Sequence, residues 1–324
     1  MKIAVISDIH SNIHALEAVL KNIKDKSVDL IVCTGDLVGY HPYPNEVIKI
    51  IEENNILTTL GNHDLNAIRG NVVSIDNLTE KNLEKAIISN YTIENLTSES
   101  KRFLKSLPIS LTMNIEGKVI KFVHGSPRSI TEYLTENSKE AEEVISDLDE
   151  DILICGHTHI AYYKKYKEKI LINAGSVGKP KKGIPDSEYI LLEIKNDIVD
   201  IKICNVKYDV DSIIKAIEKS SLPNDLGLLL KHGGRIPDCW ESSKTDSRVE
   251  SLEELKKQEY ICYCNSVTMS EIVTAIKNGA DTLKKVMAST NAMKNAQCSI
   301  KNPKGICCGK DIITIINAFK NKWG

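Results

Sequence analysis

No stretch of the 324-residue sequence comes near the ~18 consecutive apolar residues that a membrane-spanning helix requires. The opening residues also lack a separate apolar core with a small-residue cleavage site. Met1 runs straight into MKIAVISDIH, so the expectation is a cytoplasmic protein with no membrane partner. Internal repeats and low-complexity tracts are missing too, which excludes solenoid, collagen-like and coiled-coil architectures. Hydrophobic residues make up 42% and charged residues 27% of the chain, a composition of globular domains rather than of disorder. At ~150 residues per domain the length fits two domains, with enough chain to build a core that needs no disulfide staples.

A strong net charge is also lacking, but the formal −2 conceals an asymmetry. From Tyr260 to Gly324 nine lysines face only Glu271, Asp281 and Asp311, giving +6 and leaving −8 for the remainder. A body that acidic offers no dedicated nucleic-acid surface, although acids gathered around metal ions would give the same count. Cysteine is sparse at first, at Cys33, Cys155, Cys204 and Cys239, and then dense: Cys262, Cys264, Cys298, Cys307 and Cys308 are five of the nine. An odd total so unevenly placed points to metal chemistry rather than disulfides.

What is present reads as an α/β layered domain. Short apolar runs, IAVIS, LIVCTG, ILTTLG, VIKFVHG and ILICG, alternate with helical patterns. Between the first two, Ile13, Leu16, Val19, Leu20 and Ile23 recur at helical spacing behind Ser11 or Asn12 as cap. Further helices are expected from Pro44, across 77–107 as two segments stopped by Pro108, from Ser138 to about Leu148, and over 210–219. Strands are expected at 170–174, 189–194 and 198–204. Gly233 through Arg248 lacks apolar periodicity and reads as the start of a linker.

Each of the first five apolar runs ends in residues able to bind metal: Asp8 and His10, Asp36, Asn62 with His63 and Asp64, His124, then His157 and His159. Ligand sites in α/β sheets form beyond the carboxyl ends of strands, so groups 150 positions apart in sequence are expected to converge. The set Asp8, His10, Asp36, Asn62, His124, His157 and His159 offers oxygen and imidazole nitrogen without thiolate, which suits manganese, iron, zinc or cobalt. Seven donors exceed one tetrahedral ion and would fill two sites if Asp36 bridges them.

The blocks D-x-H at Asp8–His10, G-D at Gly35–Asp36, G-N-H-D at Gly61–Asp64, the later His124 and G-H-x-H at Gly156–His159 resemble the calcineurin-like metallophosphoesterases. The resemblance covers about residues 1–235. It implies a four-layer αββα sandwich, one metal on Asp8, His10, Asp36 and His159, and a second on Asp36, Asn62, His124 and His157. It also implies attack on phosphorus by a metal-bound hydroxide, with His63, oriented by Asp64, stabilising the transition state or protonating the leaving oxygen. Ser7–Asn12, Gly35–Glu46, His124–Pro127 and Asn173–Pro180 resemble a bacterial and archaeal phosphodiesterase branch that includes diadenosine-tetraphosphatase-like enzymes. The implied substrate is a small phosphodiester or phosphoanhydride of nucleotide type. His41 and Arg69 depart from that pattern and read as solvated loop residues, with substrate contact as the alternative. Lys179, Lys181, Lys182 and Arg128 are candidate phosphate contacts. Gly175, Ser176 and Gly178 are expected to form a tight turn near the metals, His14 reads as structural, and His232 as a surface residue.

The C-terminal C-Y-C at Cys262–Cys264, V-T-x-x-E-I, A-I-x-x-G-A-x-T-L and N-P-K-G-I-C-C resemble the bacterioferritin-associated-ferredoxin-like [2Fe-2S] domain. The divisions expected are 1–235, a linker at 236–258 and a small helical cysteine-rich domain at 259–324. The implied cluster ligands are Cys262, Cys264, Cys298 and Cys308, with Cys307 as the alternative fourth. Structural zinc and copper transfer remain as other uses of these thiols. Thr268 and Glu271 fit a capping box opening one helix, a second should follow Thr282, and a third should begin beside Cys308. Cys33, Cys155 and Cys204 read as inert core thiols and Cys239 as a linker thiol. The implied appendage is a redox or sensor module with a redox partner protein. The rival readings are an iron-sulfur or copper carrier whose phosphoesterase domain is secondary, and a non-catalytic binding protein on the same scaffold.

Overall fold

The computed structural model describes residues 1–73, 75, 79–235, 260–262, 265, 267–294, 308, 309, 311–313, 315 and 316. The chain divides into two compact units, Met1–Ile236 and Pro237–Gly324. The 236–258 linker and Cys239 lie outside the described residues.

In the first unit the apolar runs form β1 (Lys2–Ile6), β2 (Leu30–Cys33), β3 (Leu57–Thr58), β5 (Lys118–Val123) and β6 (Ile152–Cys155). Two five-stranded sheets result. One has the order β10-β9-β1-β2-β3, where β9 is Ser187–Lys195 and β10 is Ile198–Val206. The other runs β4-β5-β6-β8-β7, where β4 is Ser110–Ile115, β7 is Tyr162–Tyr166 and β8 is Lys169–Asn173. Parallel pairing of β1 with β2 sets Ile3 opposite Leu30 and Ile6 opposite Cys33.

Strand alternation assigns the layers. Ile3, Val5, Val32, Ile190 and Leu192 meet Ile120, Phe122, Ile152, Ile154 and Ile172 of the second sheet in one apolar cluster. Ala4, Ile6 and Cys33 face the other way, onto Leu16 and Val19 of α1 (Ile13–Lys24) and Val47 and Ile51 of α2 (Pro44–Glu53). Beyond the second sheet, Val123, Leu153 and Leu171 pack on Ala141, Val144 and Ile145 of α6 (Lys139–Asp147). The four layers are thus helix, sheet, sheet and helix. Asn12, rather than Ser11, caps α1 by accepting the Ala15 N–H at 3.1 Å. Pro44 opens α2, and Ser138 accepts the Ala141 N–H to start α6.

Helices α4 (Glu80–Asn95), α5 (Ser98–Ser106) and α7 (Val210–Glu218) fall where periodicity placed them. In this unit four elements were not anticipated. β4 and β7 are edge strands whose outer faces are solvated, so polar residues interrupt their apolar pattern. α3 (Asn62–Arg69) buries only Asp64 and Ala67, and α8 (Asp225–Lys231) is a seven-residue helix with a glycine inside it.

In the second unit β11 (Tyr260–Cys262) pairs antiparallel with β12 (Val267–Thr268). The capping box forms: Thr268 Oγ1 accepts the Glu271 N–H at 3.3 Å and Glu271 Oε2 accepts the Thr268 N–H at 2.8 Å, opening α9 (Met269–Lys277). Thr282 caps α10 (Leu283–Thr290), and helical backbone resumes at residue 309. Val267, Ile272, Ala275, Val286, Ile312 and Ile316 surround Cys262 and Cys308 in a small core.

Candidate metal centre

The ends of β1, β2, β5 and β6, the first turn of α3 and the loop after β3 meet at one rim of the paired sheets. Asp8, His10 and His159 place ligand atoms within 4.8 Å of one another, and so do Asp36, His124 and His157. Asp36 lies between the two groups: its Oδ2 is 3.8 Å from His10 Nε2 and 3.3 Å from His124 Nε2. Asn62 joins the second group through Oδ1, 2.9 Å from His124 Nε2. His63 shares a third grouping with His10 and Asp36.

The backbone bends sharply to bring these groups in. Asp8, His10, Asp36, His157 and His159 all have φ between 50° and 66°, the left-handed region that non-glycine residues seldom occupy. Two glycines allow the close approach. A Cβ at Gly61 would strike the Asp36 amide and carboxylate, and one at Gly156 would strike the Ser7 hydroxyl and Asp8 carboxylate. The Asn173–Pro180 segment forms the expected turn against this rim: Ser176 Oγ donates to Asp8 O at 2.8 Å and the Gly178 N–H to the same oxygen at 3.0 Å.

The hydrogen bonds fix the imidazole tautomers. His10 Nδ1 faces Val38 O at 3.2 Å, His124 Nδ1 faces Thr34 O at 2.8 Å and His159 Nδ1 faces Lys179 O at 2.7 Å. A carbonyl only accepts, so each Nδ1 carries a proton and each Nε2 is the atom turned to the centre, a lone pair in the neutral rings of His10 and His159. His157 is reversed: Nε2 donates to Thr131 O at 3.2 Å, leaving Nδ1 as its free lone pair. Acceptor atoms therefore point at one another, as His159 Nε2 does at Asp8 Oδ1, 3.2 Å away, and at His10 Nε2, 3.3 Å away. Asp8 Oδ1 is buried with no hydrogen-bond partner. Such an arrangement fits divalent cations, which satisfy all these lone pairs together.

Electrostatics agree. Burial raises the Asp36 pKa, yet His124 and His63 beside it outweigh this and hold it well below the usual carboxylate range. Burial lowers the His124 pKa, but Asp36 and Asp8 push it up to about 9, so without a cation its Nε2 takes up a proton beside Asp36 and Asn62, in the place a metal ion would fill. Burial dominates at His63, lowered to about 4, so the ring is neutral at pH 7.

Several expectations are corrected. Asp64 does not orient the His63 ring: its oxygens accept the Val38 N–H at 3.1 Å and the Gly61 N–H at 2.9 Å, bracing the two loops. The His63 ring instead packs against His10 and Tyr40 at centroid distances of 5.1 and 4.9 Å. His41 is not solvated but 2% exposed, and its Nδ1 donates to His10 O at 2.7 Å. It supports the loop that carries His10, a role that no local pattern signals. Arg128 turns to Glu132 and Glu143, and Lys182 to buried Glu188 at 2.5 Å, so neither lines the cavity over the centre. Lys179 and Lys181 do, while Arg69 is exposed outside its lining. His14 packs edge-on against Tyr43, and His232 caps α8.

In the second unit Cys262 and Cys308 are buried and their thiols interact by hydrogen bonding. Cys262 Sγ also accepts the Met293 N–H at 3.2 Å. Cys264, Cys298 and Cys307 lie outside the described residues.

Paired sheets between helices, with imidazoles and carboxylates gathered at one rim in groups that could hold metal ions, define the metallophosphoesterase class of fold. Residues 1–197 match the calcineurin-like phosphoesterase superfamily domain, and the chain belongs to that family. Residues 260–318 match the BFD-like [2Fe-2S] binding domain. An uncharacterised protein of Methanocaldococcus jannaschii is 36% identical over 244 residues, covering 69% of this chain and 95% of that one. A phosphodiesterase of the same organism is 23% identical over 195 residues, covering 58% and 94%. A crystal structure of a metallophosphoesterase from Sphaerobacter thermophilus aligns with a TM-score of 0.61 at 30% identity, covering 72% of this chain and 99% of that one.

Proposed function

We propose that the first unit hydrolyses a small phosphodiester or phosphoanhydride of nucleotide type, using two divalent ions. One ion is held by Asp8, His10, Asp36 and His159, the other by Asp36, Asn62, His124 and His157. The observation that carries this is the set of inward lone pairs on four imidazoles and two carboxylates, with Asp36 Oδ2 between both groups. Metals of this kind supply a water of lowered pKa and charge neutralisation for phosphoryl transfer.

The chain's own residues do the rest. His124, His10 and His159 are locked in one tautomer by backbone carbonyls, so the donor set is pre-organised. His63, neutral at pH 7, acts as an N–H donor to a phosphoryl oxygen rather than as a full proton donor. The phosphodiesterase of M. jannaschii supports the ester class. In the second unit a [2Fe-2S] cluster is bound by Cys262, Cys264, Cys298 and Cys308, serving a redox or sensor role with a partner protein in the cytoplasm.

The test uses anaerobically purified protein with manganese, presented with a phosphomonoester, a phosphodiester and diadenosine tetraphosphate, and the products separated by chromatography. Turnover of the diester or dinucleotide that disappears in Asp36→Asn supports the reading. No turnover of any of the three overturns it.

A further inference from the structure

The cavity of about 310 Å³ above the metal centre has one wall formed by Asp36, His63, His157 and His159, and further walls from α4 and the 179–181 loop. Three lysines line it: Lys85 from α4, and Lys179 and Lys181 from the loop. The ammonium of Lys179 sits 3.9 Å above the Tyr40 ring, and that ring packs on both His10 and His63 at 4.9 Å. Lys179 is thus held one ring away from the metal centre by a cation–π contact.

Among the described residues, none of the three lysines has a carboxylate within ion-pair distance. Lys182, in the same loop, does pair with Glu188. Glu84 on α4 is near enough to act on Lys179 but forms no ion pair with it. Lys179 and Lys181, two residues apart in one loop of the lining, repel each other, while Asp8, Glu84 and Asp36 attract Lys179 from a distance. Like charges left facing each other without an acid between them are stabilised when an anion enters.

The charge balance sharpens this. Two divalent ions against Asp8 and Asp36 already leave an excess positive charge, enough for one phosphoryl group. A phosphodiester carries one negative charge and would leave the lysines unmatched. Resting on the hydrolase reading above, we propose that Lys179 and Lys181, with Lys85 of α4 in the same lining, form a subsite for a second phosphate of the substrate, so that the enzyme prefers a phosphoanhydride chain to a singly charged diester. The phosphoryl group under attack lies over the metals and the next phosphate lies between the lysines. The volume accommodates a nucleotide-sized ligand.

The experiment has two readouts on the manganese-loaded full chain. The first is the Kd of tripolyphosphate by calorimetry, with manganese in constant excess in cell and syringe. The second is the ratio of kcat/KM for diadenosine tetraphosphate over that for bis-p-nitrophenyl phosphate. Lys179→Met and Lys181→Ala are each expected to raise the tripolyphosphate Kd at least about 10-fold, the scale of one charge-assisted contact, and to lower the ratio by a similar factor. Arg69→Ala, on α3 outside the cavity lining, is expected to shift neither. An unchanged Kd in both lysine variants, or an equal loss on both substrates, overturns the subsite. If the wild type hydrolyses neither substrate, the hydrolase reading fails, and the Kd comparison still decides whether the lysines bind a polyphosphate.

Discussion

Cys155 and Cys262 are both buried thiols, and their surroundings pull them in opposite directions. In the first unit Cys155 ends β6 inside the apolar layer, where burial pushes its thiol up to about 12 despite a bond from Asn173. Cys33 is likewise raised by burial, with Asp64, Asp8 and Asp36 adding to it. Burial also raises Cys262, but there the backbone N–H groups of Met293 and Asn265 and the Cys308 side chain outweigh it and bring the thiol below its ordinary value. Two things differ: Cys262 is less deeply enclosed than Cys155, and more donors reach its sulfur. Cys33 has a single backbone contact, with Gly35, that burial and three carboxylates outweigh, whereas Cys262 collects two backbone amides and a second thiol.

The largest effect that would break this division is in the first unit. Asp36→Asn should cut phosphoester turnover on the order of 10³-fold, the scale of losing a principal electrostatic contact. Elemental analysis should show loss of bound divalent metal, while the iron content stays constant. A fall in iron would show that the two centres depend on each other.

Next comes the thiol contrast itself. Cys262→Ser should remove the visible absorbance and iron of the second unit almost completely, whereas Cys155→Ala should retain both. Equal iron in the two variants would erase the contrast between the two thiols.

These two predictions rest on residues that were readable in the sequence for a physical reason. Asp8, Asp36, His124, His157 and His159 follow strands buried on both faces, and such strands appear as unbroken apolar runs. β4 and β7 were missed because edge strands mix polar and apolar residues. His41 and Asp64 were misjudged for another reason: each acts on a backbone atom of a different loop, through His10 O in one case and the Val38 and Gly61 amides in the other. Contacts of that kind carry no pattern along the chain. The placing of Lys179 over Tyr40 likewise depends on loop conformation alone.

A smaller effect concerns acid stability. Burial lowers the His41 pKa to about 3, so below pH 6.5 the unfolded chain takes up a proton that the folded one refuses. Stability contributed by the neutral ring is present above that pH and is lost as the pH falls. Between pH 6.5 and 5 the wild type should lose about 1–2 kcal/mol more than His41→Asn, whose amide can still donate to His10 O. Urea midpoints of both proteins across that range check it, and parallel curves would count against it. The smallest effect lies in the second unit. Thr268→Ala removes the cap of α9 and should cost about 1 kcal/mol, seen as faster amide exchange in 269–277 with none in α1.

The left-handed backbone at Asp8, His10, Asp36, His157 and His159 gives the first unit an evolutionary bias. Each such conformation costs on the order of 1 kcal/mol relative to glycine, although aspartate and histidine enter this region more readily than most side chains. Exchanging these side chains for glycine would relax the main chain while removing the groups that could hold metal. Loss of catalysis would then run downhill in folding energy, and a lineage released from selection for hydrolysis would drift toward a sturdier, inert scaffold. The five residues persist only under continued demand for what they do together.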